Sequence, residues 1–99
     1  MIKKQVVKSK KITKLTFELP KTFEADEVQL LAEFNDWQAV PFEKLKNGKW
    51  KLVQEVETSK SYQFRYRGVN KGDVFYVNDE DADGHVPNDQ GTSNALINC

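Results

Sequence analysis

Tyr62-Gln63-Phe64-Arg65-Tyr66-Arg67-Gly68 alternates aromatic and polar side chains without a break and then stops at a glycine. Successive side chains of an extended chain point to opposite faces, so Tyr62, Phe64 and Tyr66 share one face and Gln63, Arg65 and Arg67 the other. Three neighbouring rings need cover and the polar row needs water, and a strand with one buried face satisfies both.

Working outward, the same period returns in both directions. Leu15, Phe17 and Leu19 alternate with Lys14, Thr16 and Glu18 before Pro20 withholds a ladder donor. Val28, Leu30, Ala32 and Phe34 form another inward row, and Trp50, Leu52 and Val56 a third, with Gln54 as its polar exception. A shorter piece covers Val74 to Val77, and Ala95 to Ile97 closes the set. Turn signals separate these runs at Phe34-Asn35-Asp36, Lys46-Asn47-Gly48, Lys71-Gly72-Asp73 and the Asp, Gly, Pro and Asn-rich run from Asn78 to Gly91. Six or seven short strands in about 100 residues predict an all-β fold, an antiparallel sandwich of immunoglobulin-like type.

The chain has 99 residues, which suits a single β-sandwich domain over residues 1–99 and is too short for two ordinary domains. Fifteen Lys plus Arg balance fifteen Asp plus Glu, so no long-range field gathers nucleic acid or anionic lipid. The lysines at 3, 4, 8, 10, 11 and 14 read as a solvated edge strand, a common guard against edge-to-edge pairing. Cys99 has no second cysteine to join, which fits a reducing compartment. No run of about 18 apolar residues is present, and the expectation is a cytoplasmic protein with no membrane partner.

Five blocks stand in a particular order: LLAEFNDW (Leu30 to Trp37), NGKWKL (Asn47 to Leu52), YQFRYRG (Tyr62 to Gly68), VNDEDADG (Val77 to Gly84) and VPNDQGTSNALI (Val86 to Ile97). Over about Glu27 to Ile97 this order resembles the glycogen-binding early-set domain, carbohydrate-binding module family forty-eight. That family is found on the beta subunit of AMP-activated protein kinase and at the front of isoamylases and glycogen branching enzymes. The resemblance implies a non-catalytic module for α-linked glucan, with a glucan-metabolising enzyme or kinase chain as a further partner. It also implies a sugar site at Trp37, Arg65, Phe75 and Asn94, with Thr92 beside the last. Strong glycogen binders usually carry Trp where Phe75 stands, and Tyr76 is an alternative for that second platform. Gln90 replaces the Leu that kinase-subunit members carry before the Gly of this last segment.

The residues support that chemistry on their own terms. A glucose ring presents a C–H face to an aromatic and hydroxyls to polar groups, and Trp offers the largest such face with one N–H. Trp37 follows Asn35-Asp36, which favours an exposed turn position, whereas Trp50 lies in phase with Leu52 and Val56 and reads as core. Arg65 faces solvent by alternation and brings five donors in a fixed fork. Asn94 and Thr92 offer short donors and acceptors, or alternatively cap a turn.

Asp79-Glu80-Asp81-Ala82-Asp83-Gly84 spells the opening of an EF-hand loop, but the twelfth position is Gln90 and neither flank has helical periodicity. No metal or cofactor is expected. One histidine, His85, reads as a loop residue, and no nucleophile, base and orienter set is present, so the chain reads as a non-enzyme. The alternative from another class is a protein-interaction or regulatory sandwich that kept the fold and lost sugar affinity, as the changes at Phe75 and Gln90 allow.

Overall fold

A computed structural model describes residues 2–79, 81–88 and 91–99. The strands are β1 (Ile2–Val7), β2 (Ile12–Leu19), β3 (Glu27–Ala32), β4 (Val40–Pro41), β5 (Glu43–Lys44), β6 (Trp50–Glu57), β7 (Ser61–Asn70), β8 (Asp73–Val77), β9 (Gly84–Pro87) and β10 (Ser93–Asn98). Two antiparallel sheets form the sandwich. One runs β1-β2-β6-β5, and the other runs β4-β3-β7-β10-β9 with β8 also paired to β7.

Alternation decides what lies between the sheets. Leu15, Phe17, Leu19, Trp50 and Val56 come inward from the four-stranded sheet. Val28, Leu30, Ala32, Phe64, Tyr66, Ala95 and Ile97 meet them from the other. Phe17 is the contact between layers: its ring lies edge-on to Phe64 at 5.5 Å and to Tyr66 at 6.3 Å. Edge-to-face rings of this kind contribute beyond the area they remove from water. Thr13, the buried polar residue in the β2 row, shares a hydroxyl hydrogen bond of 3.0 Å with Thr58.

The expected rows are present, with two differences among the rows and turns. Phe34 lies beyond β3 in a 3-10 turn (Glu33–Asn35), where it packs edge-on to Tyr62 at 5.4 Å. β9 emerges from the turn-rich run after Asn78, and His85 therefore lies in a strand, opposite Ala95, and not in a loop. Of the amino-terminal lysines only Lys3 and Lys4 lie in the edge strand β1; Lys8 and Lys10 form a 3-10 turn that Lys11 closes, and Lys14 lies in β2, inside the sheet between β1 and β6.

Candidate functional site

β7 is the spine of the candidate site. β3 pairs with it over Phe64–Val69, while its opposite edge is divided: β10 pairs with Ser61–Phe64 and β8 with Tyr66–Asn70. Arg65 sits at the seam between β10 and β8.

Register settles which aromatic shares a face with Arg65. Directly opposed residues of an antiparallel pair lie on the same face. Tyr76 is opposite Arg67 and Phe75 is opposite Gly68. Tyr76 therefore joins Arg65 and Arg67 outside, and Phe75 goes with Tyr66 inside. A Cβ on Gly68 would lie 2.2 Å from Phe75 Cζ, so the glycine makes room for that ring, which also leans on Phe23 at 5.8 Å. Phe75, the expected second platform, is not on the face that carries Arg65; Tyr76 is.

Tyr76 is 49% exposed. The Arg65 guanidinium carbon lies 4.6 Å from its ring centroid, a cation–π contact that steadies both side chains. Arg65 Nε is buried with no hydrogen-bond partner. Arg67 Nη1 donates to Gln29 Oε1 at 2.9 Å.

A chain of amides borders this pair. Asn94 Nδ2 donates to Gln63 Oε1 (3.1 Å) and Asn88 Nδ2 donates to Asn94 Oδ1 (3.2 Å). Asn88 Oδ1 in turn accepts from the Thr92 N–H at 3.2 Å and from its hydroxyl at 3.0 Å. Asn94 is only 9% exposed, so it acts mainly as the central link of the chain. Gln63, Asn88 and Thr92 are the more open members. Gln63 was legible in the alternation that pointed Arg65 outward; Asn88 had no such signal, because its run lacks periodicity.

Trp37 is 42% exposed. Asp36 and Trp37 both take left-handed backbone conformations, with φ of 53° and 60°. Such a conformation in a bulky residue costs on the order of 1–3 kcal/mol. Closure of the turn offsets it: Trp37 N–H donates to the Ala32 carbonyl at 2.9 Å and Gln38 N–H to that of Asn35 at 3.0 Å. Ala32 is opposite Phe64, and Gln63 N–H donates to Glu33 Oε1 at 2.5 Å, so the Trp37 turn is fastened to the β7 end that carries Gln63.

The acidic run has other tasks. Asp79, 7% exposed, accepts the Tyr66 hydroxyl at 2.7 Å and the Asp81 N–H at 2.8 Å. Burial, reinforced by that carboxylate, holds the Tyr66 phenol far above its ordinary range. Asp83 Oδ2 accepts from Lys4 Nζ at 2.6 Å and from the Asn98 N–H at 2.7 Å. Among the described residues no group of three or more His, Cys, Asp or Glu could hold a metal ion, and Glu80 and Gln90 lie outside them.

These features define a small antiparallel β-sandwich with an aromatic and amide face on its six-stranded sheet. Its backbone is similar to part of two solved structures of SpuA, a multi-modular glycogen-degrading pneumococcal virulence factor. The first, the catalytic module with an inhibitor, matches with a TM-score of 0.67 and 18% identity, over 100% of this chain and 16% of that one. The second, a product complex, matches with a TM-score of 0.61 and 19% identity, over 98% of this chain and 12% of that one. The chain thus spans only a small part of the proteins it matches. At these identities the likeness establishes the fold. No protein-family model matches the chain. No curated protein matches it either.

Proposed function

We propose that the outer face of the six-stranded sheet binds α-linked glucan and performs no chemistry on it. One observation carries this reading: the half-exposed Tyr76 ring is braced by Arg65 at 4.6 Å and stands on the same face as Gln63, the open end of an amide chain. A glucose unit would lay its C–H face on the tyrosine and exchange hydroxyl bonds with Gln63, Asn88 and Thr92. Trp37 would serve a neighbouring unit from its turn at the end of the β3–β7 ladder. The choice of α-glucan draws on the likeness to SpuA, a glycogen-degrading protein, and on the order of sequence blocks. A glucan-metabolising enzyme or kinase is the natural companion of such a module.

Each hydroxyl bond replaces one to water and contributes about 0.5–1.5 kcal/mol net. Affinity for short oligosaccharides should therefore fall between about millimolar and tens of micromolar, or about −4 to −7 kcal/mol. Capture of polymer would depend on many repeated units along the glucan. Isothermal titration with maltoheptaose tests the reading. Saturable heat that is lost in Tyr76→Ala and weakened in Trp37→Ala is expected. Absence of heat at about 10 mM ligand, far weaker than the range above, would overturn it and favour a protein-interaction module.

A further inference from the structure

We infer that this face prefers an α-glucan bearing a phosphate monoester, with Arg65 and Arg67 holding the phosphate beside the Tyr76 platform. The inference rests on the glucan reading for the platform, and on charge for the rest. Arg65 and Arg67 stand two residues apart on the outer side of β7, roughly 6–7 Å along the strand. Arg67 is directly opposite Tyr76 and Arg65 lies over one face of its ring, so both cations adjoin the platform and a sugar would use the ring surface that Arg65 leaves open.

Neither guanidinium is in an ion pair with an acid among the described residues. Among the described residues the ion pairs are Lys3–Glu18, Lys4–Asp83 and Lys60–Glu57, and none involves an arginine. Arg67 donates to the neutral amide of Gln29, and Arg65 lies against the Tyr76 ring with its Nε buried and without a hydrogen-bond partner. Two described carboxylates share this face without forming an ion pair with either arginine: Glu27, opposite Val69, and Glu33, whose Oε1 accepts the Gln63 N–H.

The other sheet shows the contrast. On its outer face Lys14 is opposite Glu55, Glu18 is opposite Lys51, and Lys3 reaches Glu18 at 3.9 Å, so cations there are answered by carboxylates. Two guanidiniums with no ion pair among the described residues therefore stand together beside Tyr76, a doubled positive charge at one spot. Neutral sugar hydroxyls do not require it. A guanidinium fork matches paired phosphate oxygens, and such charge-assisted bonds are about twice as strong as neutral ones.

The test compares maltoheptaose, maltoheptaose carrying one phosphate monoester, and inorganic phosphate, titrated into the protein at low and raised salt. The phosphorylated chain is expected to bind about tenfold tighter than the neutral one, a margin that shrinks as salt screens the charges. Within Arg67→Gln, and within the double Arg65→Gln, Arg67→Gln variant, the ratio of the two affinities should approach one. Melting curves confirm that each variant is folded, and Arg67→Lys, which keeps the charge and loses the fork, should show an intermediate ratio. Equal affinity for both sugars in the natural protein, or a preference that survives the double substitution, overturns the inference while leaving the glucan reading intact. Inorganic phosphate binding as tightly as the phosphorylated sugar also overturns it, since the face would then be a simple anion site. Binding of neither sugar overturns both readings.

Discussion

Tyr66 and Tyr76 share a residue type and have opposite tasks. Tyr66 is 1% exposed and donates its hydroxyl to the buried Asp79 carboxylate, whereas Tyr76 stands half in water against Arg65. Tyr66→Phe takes a donor from that carboxylate and should lower stability by about 1–3 kcal/mol, read from the urea midpoint. Tyr76→Ala should leave that midpoint within about 0.5 kcal/mol, as surface substitutions usually do, while removing the response to maltoheptaose. Alternation alone showed that Arg65 points outward. It could not choose between Phe75 and Tyr76, because that choice depends on how β8 registers against β7 across the hairpin. Gly68 decides it, by leaving the space that the Phe75 ring fills.

The β7–β8 hairpin is accordingly the element on which the site depends. Its tip places Lys71 and Gly72 at φ of 51° and 85°, the paired left-handed residues of a tight hairpin turn whose twist suits the flanking strands. Lys71 N–H donates to Asp26 Oδ2 at 2.8 Å and ties the tip to the segment before β3. Gly68→Ala would push its new methyl into the Phe75 ring, an overpacking expected to cost about 1–3 kcal/mol. Where the displaced ring shifts β8, the same substitution should weaken sugar binding although residue 68 touches no sugar. Chemical denaturation and a maltoheptaose titration of the one variant check both effects. β7 and β8 were readable as strands because their apolar residues recur with period two. β9 was not, since Gly84-His85-Val86-Pro87 carries a glycine and a proline and borrows its extended conformation from pairing with β10.

Across the whole molecule, the two sheets meet through the aromatic core and are clipped at one edge by Asp83. Hydrogen bonds from the Asn98 N–H and from Lys4 hold its carboxyl below the ordinary value of 3.8. A carboxyl lowered on folding stabilises the protein above its unfolded pKa, and that contribution is lost as pH falls through this range toward the depressed folded value. Stability should therefore decline below about pH 4, and Asp83→Asn should flatten that part of the curve when urea midpoints are followed against pH. The clip joins β1, at the far edge of the four-stranded sheet, to the segment before β9, a long-range pairing that no local pattern announces. The division of labour between the sheets follows the same logic: lysine and glutamate ladders cover one outer face, while aromatic, amide and arginine side chains cover the other. A nitrogen–proton NMR titration with maltoheptaose tests that division most directly. The account predicts saturable shifts at the backbone signals of Gln63, Arg65, Tyr76 and Asn88 and at the Trp37 indole, with Lys14, Thr16 and Val53 unmoved. Shifts gathered on those last three residues, or none at all at saturating sugar, would contradict it.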